Sequence, residues 1–179
     1  MSKQRILFVD DNIRLKEIGF EDVSDIFNTI TNERIYLEEW LPFFEFTQEP
    51  SYTRLFVENY LNSDRLDITF TISYQNHFAG IIGLKDTDHD NKKTEIGFWL
   101  SDSFQHKGII TLSCKSLIDY IFDVMNLNRI QLKAANGNLK SQRVAERLGF
   151  LQEGIERDGE LHNRGFVDLV VFSLLNSDR

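Results

Sequence analysis

Gln105-His-Lys-Gly-Ile-Ile110 opens a helix just behind a short apolar strand, Glu95-Ile-Gly-Phe-Trp-Leu100, and a polar turn. The first turn of a helix carries backbone N–H groups with no partner inside the helix, and together they favour an anion. Gly108 has no Cβ, so a pyrophosphate can come close to those groups, with Lys107 adding a point charge. The plainer reading of the same turn is an ordinary strand–helix connection, and this segment by itself is compatible with both. His106 touches phosphate on the first reading and faces solvent on the second. Further on, Asn138-Leu-Lys-Ser141 leads into a helix that Leu148-Gly-Phe150 closes through Gly149. Cys114 lies among Ile110, Leu117 and Ile118 on one helical face, which reads as core rather than nucleophile. The histidines at 77, 89, 106 and 162 have no metal-ligand spacing, so no metal is expected.

Alternating and helical periodicities supply the elements that must position these groups. Arg5–Val9 and Ile13–Ile18 read as strands joined by the turn formers Asp10-Asp11-Asn12. Val23, Ile26, Phe27 and Ile30 give a helical stripe over 21–30. A second helix is expected over Ile35–Phe46, broken near Pro42, and a third capped by Ser51. Leu66–Tyr74, Phe78–Lys85 and Thr94–Leu100 form a meander of three strands. The helix from Gly108 places Ile110, Cys114, Leu117, Ile118, Ile121, Phe122 and Met125 on one face. Arg129–Ala135 is a strand, Ser141–Arg147 a helix, and two strands follow around Leu151–Glu156 and Phe166–Leu174. Trp40, Leu41, Phe43, Phe44 and Phe46 form an aromatic cluster, read as packing or, more sharply, as an acceptor wall or a dimer surface. The whole is an α+β chain with a mixed sheet. No repeat, low-complexity tract or linker divides it, so residues 1–179 are expected to form a single domain.

The chain has 179 residues, 41% of them apolar and 15 of them Phe, enough for a sizeable core. With 20 Lys+Arg against 28 Asp+Glu the net charge is 20 − 28 = −8, which argues against a dedicated binder of nucleic acid or anionic membrane. The same balance suits a cationic acceptor. A single cysteine excludes an intrachain disulfide and agrees with a reducing, cytoplasmic setting. The N-terminus lacks a secretory apolar block, and no apolar run approaches the ~20 residues of a membrane span.

Taken in order, Gln-x-x-Gly before a long amphipathic helix, a strand, Asn-x-x-Ser and then Leu-Gly-Phe resembles the GNAT acetyltransferases. Within them it most resembles the RimJ/RimL branch, which acetylates the N-terminal amines of ribosomal proteins. Glu95-Ile-Gly-Phe-Trp-Leu, Gln105-x-x-Gly-Ile-Ile, Asn126-Leu-Asn-Arg129, Gly149-Phe150, Leu37-Glu-Glu-Trp-Leu41 and the ending Asp168–Leu174 carry the likeness over nearly the whole chain. The resemblance implies the GNAT fold, a mostly antiparallel central sheet of about seven strands flanked by helices. It implies acetyl-CoA as cosubstrate and a homodimer as one assembly the family uses. Gln105, His106, Lys107, Gly108, Ile109 and Ile110 would hold the pyrophosphate. Phe98, Trp99 and Leu100 would pair with the pantetheine arm like an added strand, with an N–H near Phe98 or Trp99 facing the developing oxyanion. Asn138 and Ser141 would bond the cofactor beside it.

Two departures from the wider family matter. The usual third small residue of Gln-x-x-Gly-x-Gly/Ala is Ile110, as in the RimL-like version. The common tyrosine acid, four residues before the Gly of Gly-Phe, is Ala145. The resemblance then names Ser141 as the group at the thiolate, against a plainer reading as a helix-start hydroxyl. Two carboxylates compete to take the proton of the amine: Glu95, in the strand position many GNAT enzymes use, and Glu160, in the polar loop Arg157-Asp-Gly-Glu-Leu-His162. Their plain readings are a solvated strand residue paired with Lys92 or Lys93, and a loop charge. The expected activity is transfer of acetyl to a primary amine by direct attack on the thioester, with a protein N-terminus as acceptor. A small amine such as a polyamine or aminoglycoside, or a non-catalytic acyl-CoA-binding regulator, are the alternatives. Ile6-Leu-Phe-Val-Asp-Asp-Asn12 also resembles the opening strand of a receiver domain, but residues 45–60 offer no strand ending in a phosphate-accepting Asp.

Overall fold

Strand periodicity and turn chemistry set the architecture. The computed structural model describes residues 4–42, 47–64 and 66–179. Along the chain run β1 (Ile6–Phe8), β2 (Ile13–Glu17), α1 (Val23–Asn32), α2 (Arg34–Leu37), α3 (Pro50–Asn62), β3 (Thr69–Tyr74), β4 (His77–Asp88) and β5 (Lys93–Leu100). Then come α4 (Ile109–Asp119), β6 (Arg129–Ala135), α5 (Leu139–Arg147), β7 (Leu151–His162) and β8 (Gly165–Leu175). The strands form one eight-stranded sheet in the order β1-β2-β3-β4-β5-β6-β8-β7, the fold class expected with one strand more than counted. Its pairs are antiparallel except β5–β6, which is parallel. Asp10 is a turn residue: the Asn12 and Ile13 amides both donate to its Oδ1 at 2.7 Å. The acidic pair therefore closes an antiparallel hairpin, and the likeness to a receiver's first strand ends there.

Helices cover both faces. Leu15, Phe70, Ile96, Leu117 and Phe172 belong to the apolar cluster under α4 and α5. Ile18, Ile26, Val57 and Trp99 belong to a second cluster under α1 and α3. Alternation along β5 sends Trp99 to the second cluster and Phe98 and Leu100 to the first. The expected face of α4 is buried from Ile110 to Phe122, with the last stretch, Tyr120–Val124, wound as a π turn. Cys114 is wholly inside, and burial pushes its thiol well above the usual range.

Several boundaries differ from the sequence expectation. α3 starts at Pro50 with Glu49 in the cap position, so Ser51 does not cap it. Proline suits the first helical turn, where a missing N–H costs nothing. α2 is only four residues long, not a helix across 35–46. Of the aromatic cluster, Phe43, Phe44 and Phe46 lie outside the described residues. The stretch expected as a polar loop around Glu160 is strand: β7 continues to His162, with a register shift against β8 between Glu156 and Glu160. Among the described residues no helix is long and apolar enough to cross a membrane.

β6, β7 and β8 are tied on one side by charge. Arg129 donates to Glu153 at 2.8 Å, and Ser173 Oγ donates to Glu153 Oε1 at 2.8 Å. The Arg129 hydrogen bond, then that of Ser173, lowers Glu153 from 4.5 to about 2. A carboxyl depressed on folding stabilises above its unfolded pKa and stops doing so as pH falls through the folded value. Glu153→Gln is therefore expected to be less stable than the parent at pH ~6, by up to about 1 kcal/mol for so exposed a pair. The gap should close by pH ~2 in denaturant titrations.

Candidate functional site

A cavity of about 870 Å³ opens where β5 and β6 part. Their parallel register ends at Glu95↔Gln131, although β5 continues to Leu100 and β6 to Ala135. Hydrogen-bond phase shows which groups face the gap. The Ser101 N–H donates to Ala79 O (2.8 Å), so the odd-numbered amides of β5, Trp99 included, point to β4. The backbone groups of Ile96, Phe98 and Leu100 then point away from β4, toward the opening. On the facing strand the Asn136 N–H donates to Asp168 O (2.9 Å), which leaves the backbone of Lys133 and Ala135 turned to the same opening. The Phe98 N–H thus faces the opening, and the Trp99 N–H faces β4.

The loop before α4 ends in left-handed backbone: His106 has φ 61 and Gly108 φ 73. A Cβ added at Gly108 would meet nothing within 4 Å, so the glycine leaves open space in front of the helix. The first bond of α4 runs from Leu112 N–H to Gly108 O (3.0 Å), and the amides of residues 109–111 lie ahead of it. The Ile109 and Ile110 side chains are buried. Lys107 is folded back, its Nζ 5.3 Å from the Tyr74 ring centre and 5.1 Å from that of Phe104.

Two supports hold this loop. Glu33, at the end of α1, accepts from Ser101 Oγ (2.6 Å) and from the Asp102 N–H (2.8 Å). Gln105 donates through Nε2 to the Tyr36 hydroxyl and accepts from Lys140 Nζ (2.8 Å) through Oε1. Burial, then the charges of Asp102 and Glu33, pushes the Tyr36 phenol upward, so it stays protonated. Asn138 caps α5, its Oδ1 accepting from the Ser141 N–H at 3.1 Å. α5 therefore begins at Leu139, two residues before the expected start at Ser141, which does not cap it.

Glu95 is not a solvated residue beside Lys92 or Lys93. It is 6% exposed, 2.8 Å from Lys85 Nζ and 3.9 Å from Lys133 Nζ. Lys133 also meets Glu156 at 2.8 Å, and that hydrogen bond, with Glu95 further away, holds its ammonium above the usual lysine range. The alternation Lys85–Glu95–Lys133–Glu156 spans the point where the strands separate. Glu160 Oε2 lies 2.8 Å from His162 Nε2, and His162 is buried.

Glu95, residues 98–100, the loop 105–110, Asn138, Ser141 and Glu160 all line the one cavity. Tyr36, Lys133 and Lys140 line it too and were not anticipated. Lys133 alone had a readable signal, a cation between the apolar positions Ile130, Leu132 and Ala134 of a strand. Among the described residues no group of His, Cys, Asp and Glu could hold a metal. The arrangement offers an extended backbone edge for a peptide-like arm, free amides for a diphosphate, and carboxylates for a proton.

The acetyltransferase (GNAT) domain model matches residues 12–151. YdaF of Bacillus subtilis (strain 168) is 35% identical over 95% of this chain and 94% of its own. The ribosomal-protein-serine acetyltransferase of Escherichia coli (strain K12) is 27% identical over 92% of this chain and 93% of its own. Among solved structures, the microcin C7 self-immunity acetyltransferase MccE, in complex with acetyl-CoA and AMP, superposes with a TM-score of 0.89 at 28% identity, covering 93% of this chain and 94% of that one.

Proposed function

This chain belongs to the GNAT acetyltransferase family, and from that premise we propose that it is an acetyl-CoA-dependent enzyme whose acceptor is the N-terminal amine of a protein, with a ribosomal protein the first to test. N-acetyl transfer and acetyl-CoA as cosubstrate follow from the family; the acceptor and the residue roles are our reading, as is the treatment of residues 1–179 as a single domain. The observation that carries it is the unpaired stretch of β5 leading to the open amides at Gly108 within one cavity. Relatives named for ribosomal-protein acetylation support the acceptor.

Acetyl-CoA supplies an activated thioester. The chain's part is to hold and to move protons. The amides after Gly108 would bind the diphosphate, and the α4 dipole adds to their attraction. The β5 edge would pair with the pantetheine arm, with Asn138 on its other side. The Phe98 N–H would face the oxygen that gains charge as the amine attacks. No covalent enzyme intermediate is needed, since the Cys114 thiol is buried and protonated. Glu160 or Glu95 would take the amine's proton, and Ser141 would serve the departing thiolate. An α-amino group titrates at about 7.7–8.0, so a modest base suffices. Glu160 is the better placed: its carboxylate meets one imidazole, His162, whereas Glu95 lies between two ammonium groups.

A small amine is the second reading, since the spermidine N(1)-acetyltransferase of Escherichia coli (strain K12) matches at 30% identity over 51% of this chain. A screen of N-terminal peptides and small amines with acetyl-CoA, read by mass spectrometry, separates the two. Acetylated peptide N-termini are expected. Acetylation of spermidine or an aminoglycoside with no peptide product overturns the reading.

A further inference from the structure

Gly97 is a glycine that the fold does not require. Its backbone is not left-handed, and a Cβ built on it meets nothing within 4 Å among the described residues. Gly80, on the neighbouring strand, is different: a Cβ there would stand 2.2 Å from the Trp99 carbonyl oxygen. Gly154 sits at a register shift of β7. Gly97 has neither reason, although it lies inside the regular pairing of β5 with β4, opposite Gly83. Glycine weakens a strand, and one kept in a strand interior marks a place where a ligand or another backbone comes close. Gly97 is exposed, whereas Glu95 and Trp99, its neighbours on the same face, are buried. It lines the main cavity two residues beyond the point where β6 parts from β5.

The face on which this space opens is the one that carries the candidate bases. Cross-strand partners share a face, and Glu160 pairs with Val167, in the odd-numbered set of β8 that also pairs with Lys133 and Ala135. Lys133 in turn reaches Glu95. Glu95, Gly97, Trp99 and Glu160 therefore project to one side of the sheet. On the other side Ile96 is buried, and Phe98 and Leu100 pack against the cluster under α4 and α5. A nucleophile that reaches the gap beside Phe98 thus arrives over Gly97. Along β5 the surroundings change across this residue. Glu95 and Lys85 stand at one end, Trp99 and its cross-strand partner Ile81 at the other, and all four line the cavity. Glu95 to Trp99 spans about 13 Å of strand, room for one amino-acid residue.

We propose that the space over Gly97 holds the first residue of the acceptor, its amine toward the carboxylates and its side chain toward Ile81 and Trp99, and that glycine at this position sets the size of acceptor the enzyme takes. The wall at the far end is apolar, which suits a small uncharged side chain. The proposal rests on the reading of the acceptor as a protein N-terminus.

The test uses the full chain and two peptides that differ only in the first residue, Gly in one and Ala in the other. Gly97→Ala adds to the protein the same carbon that the Ala peptide adds to the substrate. It is expected to cut kcat/KM about tenfold for the Ala peptide, mostly through KM, and about twofold for the Gly peptide. Gly97→Val should cut both about 100-fold. Acetyl-CoA affinity, measured by calorimetry, should remain that of the parent in both variants. A thermal melt should find both at least as stable as the parent, since alanine and valine suit a strand better than glycine does. Equal losses for the two peptides in Gly97→Ala, parental turnover of the Ala peptide by Gly97→Val, or an acetyl-CoA affinity that falls as far as turnover each overturn the assignment while leaving the protein-terminus reading intact. Acetylation of spermidine by the parent with neither peptide modified overturns the protein-terminus reading, and the placement of a peptide's first residue with it.

Discussion

Replacing Gly108 with valine is expected to weaken acetyl-CoA binding by about 100-fold or more, measured by calorimetry. Two penalties act together. Backbone with φ 73 is one that β-branched side chains strongly disfavour, at about 1–3 kcal/mol. The second falls on the ligand. A Cβ at this position meets nothing within 4 Å of the protein, so the added carbons project into the open space where the diphosphate would meet the amides. Losing two charge-assisted hydrogen bonds of about 1.5–3 kcal/mol each accounts for the magnitude. Gly108→Ala separates the two, since it keeps most of the strain and adds a single carbon. If the valine variant binds acetyl-CoA as the parent does, the diphosphate is held elsewhere.

Glu160→Gln is expected to lower kcat about 100-fold near pH 7, with the deficit shrinking toward pH 9. At neutral pH most of a free α-amine is protonated, so a residue that removes the proton matters most there. Above the amine's own pKa of about 7.7–8.0 the nucleophile needs less help. Glu95→Gln should differ in kind. It leaves Lys85 and Lys133 facing a neutral side chain, so stability falls with rate, by about 1 kcal/mol because both lysines reach solvent. A variant slowed equally at every pH, with a lower melting temperature, marks a structural carboxylate. If neither substitution changes the rate at any pH, the amine gives its proton to water.

The glycine turn before α4 was legible because its requirement is local: a left-handed residue before a helix selects glycine in the chain itself. The buried face of α4 was legible for a similar reason, as its spacing repeats within one element. What escaped were features set by partners far along the sequence. Glu95 has lysines at 92 and 93 as chain neighbours, yet its ion pairs come from β4 and β6, and only the strand order could reveal them. Phe98 and Trp99 are equivalent in sequence, and the hydrogen-bond phase with β4 distinguishes them. Arg157–Glu160 is polar enough to read as a loop, but it is the bulged stretch of an edge strand, whose pairing with β8 stops at Glu156 and resumes at Glu160. Tyr36 meets Gln105 across a separation no motif records.

Glu33 has a consequence for kinetics. It belongs to the helical layer over the α1–α3 face, yet both its oxygens anchor the segment that leads to the amides proposed to hold the diphosphate. On the proposed function, one strut would join the housing of the nucleophile to that of the acyl donor. Occupancy on either side is then linked thermodynamically: whatever factor the donor applies to acceptor affinity, the acceptor must return in equal measure. Cutting the strut with Glu33→Ala should move both affinities toward independence and blur any compulsory order of substrate addition.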